Sequence, residues 1–561
     1  MILPRSFRTG TGACLVVLTH FFCFLAPSPI FAAPRISGAL ATIHPLATQA
    51  GHQAFAEGGN AIDATVAAAL TLGVVDGHNS GIGGGCLLLV RLPDGKVVAI
   101  DGRERAPALI KREDFLRDGK ADTQLTQHGA FAIAVPGALA AYACALTNYG
   151  KLSLSNHLER AALLAETGFK IDRPYAERIA STAKELKKFE ASSALFLDER
   201  GASLKSGSML QQRDLALSYR EIARHGVGWF YGGSFANAVA FWMRVQKGPI
   251  NAADFRQYEI RLREPVRSTY RGFEIVGFPP PSSGGYHVAQ ILNILENFDL
   301  KSFRPDSAEF VHLVAEAMKV AFADRAHWLG DPDFVSVPRE LTSKSYAQAL
   351  ARKIDPQRAA RVETHGDPRG VPDPTEKKHT THFSAADQEG NWVACTATIN
   401  TSFGSKAVIP GTGVILNNEM DDFSLEPGVA NYFGLVGSEA NAVAPGKRPL
   451  SSMSPTLVLR DGKPILSLGA AGGPTIISQT LLAIIYTIDF GMKPEKALAQ
   501  PRFHHQWRPD ELRIEKKFSR SVVRELELRG HKVKVVDPIG AAQAVSFDGQ
   551  EWIAVREPRL N

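Results

Sequence analysis

The sequence predicts a mixed α/β fold in which stacked β-sheets are covered on the outside by helices. Two long segments carry apolar residues at helical spacing, "GGNAIDATVAAALTLGVV" (58–75) and "SAEFVHLVAEAMKVAFADRAHWL" (307–329). Short apolar or alternating runs that suit strands lie on both sides of a charged, Pro- and Gly-rich stretch, "ETHGDPRGVPDPTEKKH" (363–379). Strands flanked by helices in both halves are best buried as sheet on sheet with helices outside. With 561 residues, 45% hydrophobic and 21% charged, the chain can bury a large core.

The elements follow in order. Arg5 and Arg8 precede an apolar run, Ala13–Ala26, and then "PSPIFAAPR". A basic start, a short apolar stretch and small residues read as a secretory signal cut after Ala32, covering residues 1–32. The run is shorter than the ~20 residues of a spanning helix. Asn60 is a plausible N-cap for a helix whose Ile62, Val66, Leu70 and Val74 recur at i+4. The turn Gly81–Gly85 then enters the apolar strand "CLLLVRL". It lacks the spacing of a phosphate or dinucleotide loop, so close backbone packing is the favoured reading. From about Ala138 to Ile354 the pattern is mostly helical, interrupted by the rigid loop "GFPPPSSGGYH" (277–287), with Ser307 as an N-cap. After 379 come strand patterns "THFSAAD", "WVACTATI", "PTLVLRDGKPILSLGAAGG" and "VVDPIGAAQAVSFDGQEWIAVRE", with the helix pattern "TIISQTLLAIIYTIDF" between them.

Composition narrows the function. There are 63 basic and 57 acidic residues, a net charge of +6, and no basic stripe with interleaved aromatics, which argues against nucleic acid as a partner. Two of the five cysteines, Cys14 and Cys23, lie in the signal. Cys86, Cys144 and Cys395 form neither a disulfide framework nor a C-x-x-C pair. His379 and His382, and His504 and His505, have no third ligand in register, so a solvated surface or hairpin place is the favoured reading for them. Ser282 and Ser283 lack the G-x-S-x-G context of a serine hydrolase, and a structural turn is favoured.

Thr380 is the residue that raises a chemical question. A threonine hydroxyl needs a base to take its proton, and an N-terminal threonine can use its own α-amino group, whose reference pKa is about 7.7–8.0. In an exported chain such a residue is exposed by a cut before it, and the preceding linker could move away. On this stretch alone, a surface linker entering a hairpin is the simpler reading. The surroundings change that. Thr398 and Asn400, two apart, are expected on one strand face. Glu419, Asp421 and Asp422 cluster in "LNNEMDDFS", Ser451 and Ser452 in "GKRPLSSMSPT". Gly472 and Gly473 form a bend whose N–H groups could face an oxyanion. Upstream, "IDGRERAPAL" offers Arg103 and Arg105. Acidic groups suit an ammonium, and arginine and serine hydroxyls suit a carboxylate.

These motifs, with "EGGNAIDATVAAALTLGV", "GIGGG", "PPPSSGG", "EAMKVAFADRAHWLGDPDF" and "TTHFS", resemble those of gamma-glutamyltranspeptidases, N-terminal-nucleophile hydrolases also called glutathione hydrolases. The similarity runs from about Ala41 to near the C-terminus. It implies a four-layer αββα sandwich and a precursor cut between a large subunit, 33–379, and a small subunit, 380–561, that stay together as a heterodimer. By position it implies Thr380 as nucleophile, assisted by Thr398, with Gly472 and Gly473 as oxyanion hole. Arg103, Ser451 and Ser452 would hold the substrate α-carboxylate; Asn400, Glu419 and Asp422 would hold its α-amino group. Glu419 stands where some bacterial members have Gln. Pro427–Val443 corresponds to a lid loop, with Phe433 where many members carry tyrosine. The expected substrates are glutathione and other γ-glutamyl compounds, with amino acids or peptides as acceptors. No cofactor or metal is expected, nor a membrane span after signal removal, and the expected place is the periplasm or the medium.

Overall fold

A computed structural model describes residues 38–368, 381–426, 428–434, 436 and 438–560. The signal segment, His379 and Thr380 lie outside the described residues. Twelve strands build two six-stranded sheets: β1 (Gly38–Ala41), β2 (Gly85–Arg91), β3 (Val97–Gly102), β4 (Arg261–Arg263), β5 (Val266–Tyr270), β6 (Phe273–Gly277), β7 (Thr381–Asp387), β8 (Trp392–Thr398), β9 (Thr456–Arg460), β10 (Lys463–Ala471), β11 (Ala541–Phe547) and β12 (Trp552–Val555). One sheet has the order β1-β7-β8-β2-β3-β4 and the other β12-β11-β10-β9-β6-β5; all neighbours are antiparallel.

The layering follows from the side-chain period of two. In β2, Cys86, Leu88 and Val90 pack with helices α1 (Pro45–Ala56), α2 (Ala61–Val75) and α3 (Ala138–Tyr149), whereas Leu87 and Leu89 pack against Val276, Leu457 and Leu459 of the second sheet. In β10, Leu466, Leu468 and Ala470 face α4 (Gly284–Leu295), α5 (Ala308–Trp328) and α6 (Thr475–Ile488). Three apolar layers thus separate four structural layers, αββα. Strands buried on both faces read as continuous apolar runs, as "CLLLV" does.

Helix α2 is buried along its whole length, because it lies between the first sheet and outer helices. Asn60 caps it, accepting from the Ile62 and Asp63 amides at 2.9 and 3.2 Å, while Asp63 accepts from the Asn60 amide at 2.9 Å. Ser307 caps α5 in the same manner. The glycine turn is a close approach of backbones: a Cβ on Gly83 would lie 2.0 Å from the Ile415 carbonyl oxygen, and one on Gly84 1.9 Å from that of Thr398. Asp387 fixes the β7–β8 hairpin. Its Oδ1 accepts from the Glu389 and Asn391 amides, and its Oδ2 accepts from the Ala61 amide at 2.8 Å, at the positive end of α2.

The middle of the chain is mostly helical, as its pattern predicts, with β4, β5 and β6 on short alternating segments such as "VRSTYRGFEIVG". His382 keeps its expected hairpin place, on β7, but it, His504 and His505 are buried and not on a solvated surface. His382 points between the sheets, where Thr396 Oγ1 and Ser384 Oγ lie 2.9 Å from its two ring nitrogens; burial lowers its pKa to about 3. A hydroxyl for each nitrogen lets a neutral imidazole sit inside. Among the described residues no helix is long and apolar enough to cross a membrane.

Candidate active site

The start of β7 and the end of β8 lie side by side in the interior of the first sheet. Thr381 pairs with Ala397, and Thr398 lies one step further, opposite Gly85 of β2. The strand stops there. Asn400 has φ of 72°, a left-handed conformation that Asn tolerates better than most residues, and so does not continue the strand face of Thr398. A local hydrogen bond joins the two instead: the Asn400 amide donates to Thr398 Oγ1 at 2.8 Å. Asn400 Nδ2 donates to the Asn418 carbonyl at 2.9 Å. Its buried Oδ1 accepts no hydrogen bond among the described residues. Thr401 holds Asn418 in turn, through its amide at 3.0 Å and its hydroxyl at 2.9 Å.

Arg103 follows β3 and is 1% exposed. Its Nη1 donates to Glu419 Oε2 at 2.7 Å and to Glu104 Oε2 at 3.1 Å, its Nη2 donates to Asp422, and its Nε donates to the Pro449 carbonyl at 3.0 Å. One guanidinium thus faces three buried carboxyl groups. Burial raises Glu104 to about 7 and Glu419 to about 8, with Arg103 opposing both shifts. The same carboxyls push Arg103 upward, so it stays charged. Three carboxyl groups share one cation, so Glu104 and Glu419 resist ionising, and an added ammonium would favour their ionised forms.

Beyond Pro449 the chain reaches Ser451 and Ser452. Ser451 Oγ accepts from the Met453 amide at 3.1 Å. Ser452 Oγ accepts from Arg325 Nη2 at 2.7 Å, and Arg325 Nε donates to Ser283 Oγ at 2.5 Å. Arg325 is a further buried guanidinium, on α5, that sequence reasoning passed over: it is one of several charged residues in that helical pattern, and nothing in the spacing singles it out. The "PPPSSGG" loop is structural, as expected: the Ser283 amide and hydroxyl both donate to the Ser451 carbonyl, at 2.7 and 2.8 Å. Gly472 and Gly473, with φ of 128° and 62°, lie just before α6, at the helix end whose free amides favour an anion.

Not every candidate joins the site. Arg105 turns away and donates to the Gly446 and Gln257 carbonyls at 3.0 and 2.9 Å. Asp421 turns to the loop at 428–443, accepting from the Tyr432 amide at 3.3 Å and from Thr126 Oγ1 at 2.7 Å. Elsewhere, His312, Glu316 and His531 bring metal-ligand atoms within 4.8 Å of one another. They already serve each other and Lys319: His312 Nδ1 and His531 Nε2 lie 2.8 Å apart, and Lys319 Nζ donates to Glu316 Oε1 at 2.7 Å.

The family model described as Gamma-glutamyltranspeptidase matches residues 47–561. The chain is 44% identical over 579 residues to a glutathione hydrolase proenzyme of Escherichia coli (strain K12), covering 100% of this chain and 98% of that protein. It is 40% identical over 521 residues to an acylase ACY 1 proenzyme of Pseudomonas sp. (strain SE83), covering 91% and 90%. Among solved structures, cephalosporin acylase from Bacillus halodurans matches with a TM-score of 0.83 at 28% identity, over 96% of this chain and 98% of that one. Helicobacter pylori gamma-glutamyltranspeptidase matches with a TM-score of 0.56 at 36% identity, over 60% of this chain and 95% of that one.

Proposed function

The chain belongs to the gamma-glutamyltranspeptidase family, and from that premise we propose that it is an exported, self-processing γ-glutamyl hydrolase and transferase acting on glutathione or related compounds. The observation that carries the reading is the three buried carboxyl groups around Arg103, with Asn400 held to the carbonyl of Asn418, next to Glu419, and its Oδ1 accepting no hydrogen bond among the described residues. An α-ammonium supplies a donor and a second positive charge against which the raised carboxyls can ionise, while Arg103 and the hydroxyls of Ser451 and Ser452 suit the α-carboxylate of the same head group.

In this reading the precursor is cut between His379 and Thr380, giving subunits 33–379 and 380–561. The new α-amino group of Thr380 takes the hydroxyl proton, and Oγ attacks the γ-carbonyl of the substrate. Thr398 supports the hydroxyl, and the amides of Gly472 and Gly473 stabilise the oxyanion. The amide C–N bond breaks, the proton passes to the leaving amine, and a γ-glutamyl ester remains on Thr380. Water or the amine of an amino acid or peptide then releases it. The alternative is an acylase acting on glutaryl or β-lactam side chains, and acylases are among the relatives. A glutaryl group has no α-amino group, so Glu419, Asp422 and Asn400 speak for the γ-glutamyl substrate.

The test is the purified protein with glutathione. Free glutamate and two bands on a denaturing gel are expected, with one band and no activity for Thr380→Ala. A Thr380→Ala protein that still yields a fragment starting at residue 380 overturns self-processing. A cleaved parent protein that releases no glutamate overturns the substrate.

A further inference from the structure

The loop after α2, residues 76–80, reaches the candidate site from outside the residues considered so far. Asp76 stands at the C-cap of α2, is buried, and faces the negative end of the helix dipole. Among the described residues its ion-pair neighbour is His78, 3.5 Å away, an imidazole that burial keeps neutral with a pKa near 3. A buried carboxylate with no arginine or lysine within ion-pair distance among the described residues, at the wrong end of a helix, is costly to keep. Burial accordingly raises Asp76 to about 7.

What it holds is specific. Asp76 Oδ2 accepts from the Thr381 hydroxyl at 3.0 Å, and Oδ1 accepts from Asn79 Nδ2 at 2.9 Å. The same loop grips β8 beyond its end. The Asn79 carbonyl accepts from the Ile399 amide at 3.1 Å, and the His78 carbonyl accepts from the Phe403 amide at 2.8 Å. One short loop therefore ties the first residue of β7 to the residues after Thr398.

We propose that Asp76 is a positioning residue: through its hydrogen bond to Thr381 it sets the start of β7, and so the residue joined to Thr381, relative to Thr398. The inference rests on the reading of Thr380 as nucleophile. It assigns Asp76 no contact with substrate. A misplaced nucleophile lowers the rate of attack, whereas the head-group pocket at Arg103 is untouched.

The experiment measures kcat and KM per cleaved molecule with a chromogenic γ-glutamyl anilide. Asp76→Ala and Thr381→Val are each expected to lower kcat by about ten- to hundredfold, with KM within about twofold. Their double variant should be no worse than either alone, because both remove one hydrogen bond. Asp76→Asn and Thr381→Ser, which keep an acceptor and a hydroxyl, should recover most of the rate. Parent-like kcat in both single variants, or losses that multiply in the double variant, overturns the proposal. If Asp76→Ala does not fold, the Thr381→Val and Thr381→Ser pair decides alone. An inactive parent enzyme would instead sink the function proposed above, leaving the two failures distinct.

Discussion

Glu419 shows how one carboxyl group links the site to stability. It shares Arg103 with Glu104 and Asp422, and burial holds its pKa at about 8. Between its ordinary value and 8 the folded protein binds a proton that the unfolded chain releases. Its contribution to stability is therefore fully present below the unfolded pKa and is lost as the pH rises through 8. Glu419→Gln removes that dependence. The melting temperature of the variant minus that of the parent should increase from pH 5 to pH 9. Thermal unfolding at the two pH values measures it, and a constant or shrinking difference contradicts the assignment.

The loop that follows Asp422 is stitched at both ends. Asn441 Nδ2 donates to the Asp422 carbonyl at 2.7 Å, the Ser424 amide donates to the Asn441 carbonyl at 2.9 Å, and Asn431 Nδ2 donates to the Asp421 carbonyl at 3.1 Å. Phe433, half-buried in this loop, packs edge-on against Tyr432 with ring centroids 4.8 Å apart. By the family resemblance, a tyrosine hydroxyl at position 433 would donate to Asn400, a hydrogen bond of about 0.5–1.5 kcal/mol net. In the γ-glutamyl transferase reading, the parent should favour hydrolysis, because its loop lacks that bond and water enters more often. Phe433→Tyr should shift the balance towards transfer. The ratio of glutamate to transfer product with a dipeptide acceptor decides: an unchanged ratio means packing alone holds the loop.

Across the molecule, the strands after residue 380 are woven among those before it. In the first sheet β7 and β8 lie between β1 and β2; in the second, β9 to β12 continue from β6. A cut in the 363–379 linker leaves every one of these pairings intact. The two pieces should therefore elute as one species under native conditions and unfold in one transition, although a denaturing gel separates them. Leu87, buried between the sheets, tests the coupling. Leu87→Ala should cost about 2–5 kcal/mol and lower that single transition for both pieces together. Two separate melting transitions, or a change confined to one piece, would contradict the interlocked fold.

Local sequence determined the features that local physics controls. Asn60 and Ser307 cap their helices because a short polar side chain before an apolar period can satisfy the first free amides. The apolar run at 86–90 marked a strand buried on both faces, and the glycines at 83–85 marked backbones in contact. Ordered resemblance singled out the motifs around Arg103, Asn400, Glu419, Asp422, Ser451 and Ser452, and the structure brings Arg103, Glu419 and Asp422 into contact. Tertiary structure decided the rest, because it depends on neighbours far apart in the chain. Asn400 leaves the strand that carries Thr398; Arg105 and Asp421 bond elsewhere; Arg325 arrives on Ser452 from 127 positions away. His382 is hidden between sheets by two hydroxyls that no spacing pattern announces. Asp76 and Thr381 meet across 305 positions, and only the packing of α2 beneath the first sheet brings that carboxylate to that hydroxyl.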